Sequence, residues 1–177
     1  MSNLRVNSIS ARAGSGVIAV PSGNTLGQAG LVVQTVQKFF DTLTVNNSNQ
    51  VYVAVANGDL SITTKIANSK ILALVSAQGY QSAGGGCNIG LQRTVGGVTT
   101  RLLGVDGAAG DSWLGFGNGV ATSSWNMKRE LLDSPNVAAG TTLTYQALLG
   151  RWSSGTIYFN YSGYTGGSTI TLLEIAP

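Results

Sequence analysis

The sequence contains no histidine, and this absence removes a side chain on which several kinds of catalytic and metal site depend. Without it the chain cannot build a Ser-His-Asp or Cys-His catalytic group, nor a zinc site of the HExxH type. A Gly-x-Ser-x-Gly turn and a Gly-Lys-Ser/Thr phosphate loop are absent as well. The seven acidic residues show no pairing suited to glycosidase chemistry. We therefore expect neither enzymatic activity nor a cofactor or metal.

Charge is also scarce, at 10% of residues, against roughly 25% in typical soluble domains. The ten Lys and Arg residues are scattered, and only Lys128 and Arg129 are adjacent. Because a nucleic-acid binder needs a basic stripe, we expect no nucleic-acid partner. A monomer with few charges has a poorly solvated surface, which it can bury against copies of itself. A surface of Ser, Thr, Asn and Gly explains the same composition, so composition leaves both interpretations open.

Cysteine is also scarce, and long apolar runs are absent. The single cysteine, Cys87, excludes an intrachain disulfide and is expected to be a small buried residue. The first residues lack a secretory signal pattern, and no apolar run approaches the ~18 residues that a bilayer span needs. We therefore expect a protein made in a cytoplasm, neither secreted by a standard signal nor inserted into a membrane.

What the sequence does contain, from residue 31 onward, is a series of short stretches in which apolar and polar residues alternate. In one of them Leu143, Tyr145 and Ala147 face one way, while Thr142 and Thr144 face the other. Stretches of strand character occupy residues 31–37, 49–55, 60–64, 70–76, 89–95, 98–103, 141–149, 157–161 and 169–175. About nine or ten short strands with Gly, Ser and Asn turns predict an all-β sandwich or barrel.

Individual stretches carry more specific predictions. Gly96-Gly97 is a two-residue hairpin signal. Residues 70–76 contain a continuous apolar run at 71–75, which fits a strand buried on both faces. A helix over residues 69–78 is the best alternative there, because Leu, Ala and Lys favour helix. Asp133, followed by Ser and Pro, is typical of a turn.

The first thirty residues differ from the rest. Their apolar residues recur at intervals, but the segments are too short to bury a core alone. As strands they would pair with the same segment of neighbouring chains. The alternative is a flexible tail, although such tails are usually polar. We predict an N-terminal stem over residues 1–30 and a β-sandwich domain over residues 31–177. The expected stem residues are Leu4, Val6, Ile9, Ile18, Val20 and Leu26.

Two glycine-rich stretches, residues 79–86 and 104–119, are predicted to be loops. Aromatic residues on loops of a rigid sheet are where binding surfaces commonly lie. Trp113 and Phe116 lie in the second of these stretches, and Tyr164 follows the strand stretch at residues 157–161. These three residues are candidates for contact with a receptor or glycan. Aromatic residues of a β-sandwich more often belong to its core, and that alternative stays open for these three.

A series of short motifs recurs in a characteristic order along nearly the whole chain. The motifs are Leu4-Arg5-Val6-x-x-Ile9, Ile18-x-Val20-Pro21-Ser22-Gly23-x-x-Leu26, Val32-Val33-Gln34-Thr35-Val36, Leu60-Ser61-Ile62-Thr63, Asn68-Ser69-Lys70-Ile71-Leu72, Leu131-Leu132-Asp133-Ser134-Pro135 and Ser168-Thr169-Ile170-Thr171-Leu172-Leu173-Glu174-Ile175. Their order resembles that in phage tail-fibre-like proteins, those of marine and cyanobacterial phages especially. The dense glycine stretch at residues 104–119 departs from the commoner members, so no receptor contact is carried over there.

The resemblance implies an all-β, antiparallel jelly-roll sandwich similar to the tumour-necrosis-factor-like trimers, on a short N-terminal β stem. It also implies a virion location after assembly in the host cytoplasm. The expected function is that of a tail fibre or fibre-like adhesin that contacts a host surface glycan or protein. The stem would attach it to other virion proteins of the tail or capsid. The alternatives are a capsid decoration or cement protein, a polysaccharide-degrading spike and a carbohydrate-binding lectin.

Overall fold

The computed structural model describes residues 29–82, 86–104, 123–151, 155–161 and 167–177. Within these ranges the chain forms ten antiparallel strands, which confirms the predicted all-β fold. They are β1 Val32–Phe40, β2 Thr44–Asn46, β3 Tyr52–Thr63, β4 Lys70–Gln81, β5 Cys87–Val95, β6 Val98–Leu103, β7 Ser123–Asp133, β8 Thr142–Arg151, β9 Ile157–Phe159 and β10 Ser168–Ile175. The helix alternative at residues 69–78 is wrong, because β4 pairs with β10 on one side and β7 on the other.

The strands form two sheets packed face to face. The large sheet runs β1-β10-β4-β7, with β9 and β2 continuing beyond the end of β10, and the small sheet runs β3-β8-β5-β6. When β2 and β9 are set aside, the eight remaining strands can be renumbered 1 to 8 along the chain. Their order is then 1-8-3-6 in the large sheet and 2-7-4-5 in the small sheet. This is the double Greek key of a jelly roll. The predicted antiparallel jelly-roll sandwich is therefore confirmed for the described residues. The division at residue 30 stays a prediction.

The core lies between the sheets and follows the two-residue alternation of strands. On β8, Leu143, Tyr145, Ala147 and Leu149 are buried, as the alternation predicts. Val95 and Val98 pair across the β5–β6 hairpin. Its two turn residues both have positive φ, 54° at Gly96 and 82° at Gly97, as a type I′ turn requires.

Three sequence predictions are wrong in ways that matter for the surface described below. The predicted loop at residues 79–86 begins too early, because β4 continues to Gln81 and pairs there with β9. Asp133 ends a strand instead of opening an exposed turn, and it is buried. Tyr161 lies beyond β9, which ends at Phe159, whereas the sequence predicts a strand over residues 157–161. In each case a partner from a distant part of the chain overrides the local pattern.

Glu174 is a fully buried carboxylate on the inner side of β10, and four donor groups hold it. The Lys65 and Ile66 amides, the Ser69 hydroxyl and the Gln34 side-chain amide donate to it over 2.6–3.0 Å. Burial alone raises the pKa of the carboxyl, but the hydrogen bonds favour its ionised form. The pKa of Glu174 therefore lies below its ordinary value.

This carboxylate predicts an acid-dependent loss of stability. A pKa that is lowered on folding stabilises the protein above the ordinary pKa, and the contribution is lost as pH falls through the lower folded value. We expect Glu174→Gln to reduce the free energy of unfolding by about 1–3 kcal/mol at neutral pH and to flatten its decline in acid. Denaturant unfolding at several pH values measures both. Asp41→Asn, an exposed control, should follow the unmodified chain, and a pH curve for Glu174→Gln identical to that of the unmodified chain would contradict the assignment.

Candidate interaction surface

Strand register assembles an apolar row across the outward face of the large sheet. Thr35 pairs with Leu173, Leu173 with Leu72, and Leu72 with Leu132. We call these four residues the leucine row. Leu132 is 50% exposed, and Leu72 and Leu173 are only half-buried. An apolar row in this state on a sheet face marks a surface that gains from being covered.

Strand β4 is likewise only partly buried on its outward face. Its inward residues Ile71, Ala73 and Val75 are buried in the core. Its outward residues Leu72 and Leu74 are half-buried, although the sequence predicts a strand covered on both faces. Among the described residues nothing forms a further layer over this face. The apolar sequence of β4 therefore exceeds what the described residues bury.

The outward face of the small sheet is built differently. Threonine and serine hydroxyls pair across its strands, between Ser61 and Thr144 at 2.8 Å and between Thr63 and Thr142 at 2.9 Å. These side chains are exposed, and hydroxyl pairs of this kind are well solvated. The two outer faces of the sandwich thus differ in chemistry. The face of the small sheet is polar and readily solvated, whereas the face of the large sheet carries an apolar row suited to contact with a partner.

A groove of about 530 Å³ lies beside the leucine row on the same outward face. It is lined by Leu74, Val75, Ser76, Lys128, Arg129, Glu130, Thr169 and Thr171. Lys128 and Glu130 stand two residues apart on β7, so they share this face, and both are exposed. Across the described ranges the ion pairs are Lys38–Asp59 and Arg93–Asp133, so neither Lys128 nor Glu130 is paired there. The groove offers both signs of charge to whatever covers it.

Three tyrosines occupy the opposite end of this face. Tyr80 on β4 and Tyr158 on β9 have ring centres 5.9 Å apart, and Tyr161 lies 5.0 Å from the first and 5.2 Å from the second. We call these residues the tyrosine cluster. Gly79 allows it to form, because a Cβ there would overlap the Tyr158 carbonyl oxygen and the Trp125 ring. Leu72 and Tyr80 are eight residues apart on one strand, which separates the two ends by about 27 Å.

A polar network joins the two sheets beneath the leucine row. The Arg93 guanidinium lies 2.5 Å from Asp133, and the Tyr145 hydroxyl donates to the same carboxylate oxygen at 2.6 Å. Burial, and then the hydrogen bond to Asp133, raise the pKa of Tyr145. The phenol is therefore a fixed donor at any ordinary pH. This network is structural, because Asp133 accepts from both Arg93 and Tyr145 and so joins the two sheets inside the sandwich.

Reactive groups are few in the part of the chain that the structure describes. Burial raises the pKa of the Cys87 thiol to about 12, which keeps it protonated and unreactive. No group of three or more His, Cys, Asp or Glu side chains lies close enough there to hold a metal ion. These same residues also include no helix suited to spanning a membrane.

The binding residues predicted from sequence lie outside the described residues. This holds for the receptor or glycan candidates Trp113, Phe116 and Tyr164, and for the stem residues Leu4, Val6, Ile9, Ile18, Val20 and Leu26. All nine stay predictions. The leucine row and the tyrosine cluster were not predicted from the sequence. The apolar run at residues 70–76 was the one available signal for the first, whereas the second depends on pairing between distant strands.

The strand order, and the outward face of the large sheet that the described residues leave uncovered, define a jelly-roll domain with a surface suited to a partner. No protein-family model and no curated protein matches the sequence. Among solved structures, a chain of infectious bursal disease virus, Gx strain, aligns at a TM-score of 0.34 and 14% identity, over 96% of this chain and 47% of that one. A chain of the Gt strain aligns at 0.35 and 11%, over 91% and 42%. The chain thus spans less than half of each, and at these scores the likeness carries no argument about function.

Proposed function

We propose that this chain is a structural, non-enzymatic virion protein that associates with itself through the outward face of its large sheet. The observation that carries the proposal is the leucine row, which the described residues leave uncovered on the outward face of the large sheet. The outward face of the small sheet instead carries paired serine and threonine hydroxyls. Exposed apolar rows of this kind are typical of protein–protein interfaces. The low charge of the whole chain, 10%, supports the same interpretation.

The proposed partner is a second and third copy of the chain, arranged as a homotrimer. In a closed ring, one patch of each copy meets a different patch of the next. The groove beside the leucine row suits such a contact, because Lys128 and Glu130 let a neighbour meet each charge with its opposite. The jelly-roll strand order and the resemblance to tumour-necrosis-factor-like trimers support the number three.

Within the virion we propose a tail fibre or fibre-like adhesin. Residues 1–30 would attach it to other virion proteins, and the sandwich would face the host surface. The support is the order of motifs along the chain, which resembles that of phage tail-fibre-like proteins. A capsid decoration protein would use the same self-association, and its location on the particle distinguishes the two.

Immunogold labelling of intact particles tests the virion role. We expect antibodies against the purified chain to label the tail of particles produced by cells that carry the gene. Labelling over the head would overturn the fibre assignment in favour of the decoration protein. Particles that carry no label, when the same antibodies detect the chain in the cell lysate, would overturn the virion role itself.

A further inference from the structure

The end of the large sheet that carries the tyrosine cluster also holds a small cleft between β4 and β7. The cleft measures about 180 Å³ and is lined by Gln78, Gly79, Ser124, Trp125, Asn126 and Tyr161. Strand pairing places Gln78 opposite Asn126 and Tyr80 opposite Ser124, so amide and hydroxyl groups surround the opening. Its size is below the ~300 Å³ at which sites for drug-sized ligands begin, which limits the occupant to about one ring.

Aromatic faces border this cleft directly. Tyr161 lines it and stacks on Tyr80, with ring planes 22° apart. The three rings of the tyrosine cluster pack against one another and are half-buried, so packing holds their positions. Rigid aromatic rings present a large contact area at a low cost in conformational entropy.

The polar groups of the cleft are neutral. None of its six lining residues is charged, so the cleft offers an anion or a cation no opposite charge. Gln78 and Asn126 each provide amide groups that both donate and accept hydrogen bonds. Trp125 is only 3% exposed, and its indole N–H has no hydrogen-bond partner among the described residues. Trp125 belongs to the hydrophobic core, where it packs against Phe159, so its N–H is not counted among the groups that the cleft offers to a ligand.

We propose that this cleft binds a neutral carbohydrate, with one sugar ring placed against Tyr161 and its hydroxyls held by Gln78, Ser124 and Asn126. A sugar has the two surfaces that this site matches, an apolar ring face and a rim of hydroxyl groups. The inference rests on the proposed adhesin role and deepens it, because it moves the glycan contact from Trp113, Phe116 and Tyr164 to a different set of residues. Along β4 the cleft begins at Gln78, six residues or about 20 Å from Leu72, so a neighbouring copy that covers the leucine row can leave the cleft open.

The test uses the full chain and a panel of neutral methyl glycosides of glucose, galactose, mannose and N-acetylglucosamine, with sialic acid as an anionic comparison. Ligand-observed nuclear magnetic resonance detects weak binding, and titration gives the dissociation constant. We expect binding of at least one neutral glycoside and none of sialic acid. Tyr161→Ala and Asn126→Ala should each weaken it about tenfold or more, as expected for loss of a central contact. Val98→Ala on the other sheet is the matched control and should leave it unchanged.

Each variant is also measured by sedimentation and by thermal unfolding. Absence of glycoside binding, or binding that survives both cleft variants, would overturn this inference while leaving the self-association untouched. A Tyr161→Ala chain that folds but falls apart into monomers would also overturn it, because the tyrosine cluster would then belong to the contact between copies. If Tyr161→Ala fails to fold, Asn126→Ala decides the question, because Asn126 is exposed and outside the core.

Discussion

Replacing Asp133 with alanine should lower the free energy of unfolding by about 3–5 kcal/mol, the largest stability change that we expect from one substitution. The carboxylate accepts from both Arg93 and Tyr145, which belong to the opposite sheet. Its removal leaves a largely buried guanidinium without its counter-charge and a buried phenol without an acceptor. Denaturant unfolding, followed by circular dichroism, measures the loss.

Asp41→Ala is the matched control, because Asp41 carries the same charge, is exposed and lies outside the groove that is proposed to contact a neighbouring copy. It should change the free energy of unfolding by no more than about 0.5 kcal/mol. A double variant that replaces Arg93 with methionine and Asp133 with leucine should recover part of the loss, because no unpaired charge is then left inside. Equal effects of Asp133→Ala and Asp41→Ala would show that the network between the sheets is unimportant.

Replacing Leu132 with aspartate should separate the assembly into monomers without unfolding them. Leu132 is half-exposed in the single chain, so an aspartate there stays solvated when the chain is alone. In the proposed assembly the same position is covered, and a covered carboxylate without a partner is strongly unfavourable. We expect association to weaken about 100-fold or more, read from sedimentation velocity across a concentration series.

The control for this change is Val98→Asp. Val98 is 69% exposed at the β5–β6 hairpin of the small sheet, and the substitution adds the same charge to the same kind of site. It should leave both the assembly and the unfolding midpoint as they are. If Leu132→Asp sediments like the unmodified chain, the leucine row lies outside the contact between copies and the proposed interface is wrong.

The sequence predicts most strands of this fold because each buries one face of an alternating pattern. The inward set on β8 and the Gly96-Gly97 hairpin are examples in which the local signal is enough. Strand β7 was missed because Lys128, Arg129 and Glu130 interrupt its apolar pattern. It is a strand because it pairs with β4 along its whole length, which no local window of sequence reveals.

The candidate surface could be predicted only in part, for the same reason. An apolar excess on β4 is visible in the sequence, but the row that it forms with Leu132 and Leu173 depends on the register of three strands. The tyrosine cluster joins residues about eighty positions apart through the β4–β9 pairing and a glycine without room for a side chain. Single-sequence patterns carry no information on such pairings.

Self-association of the chain is the claim on which the proposed function depends, and sedimentation equilibrium of the unmodified protein tests it most directly. The account predicts one species of about three times the 18.2 kDa of the chain at micromolar concentration. A single species of 18.2 kDa, unchanged as the concentration rises, would contradict it.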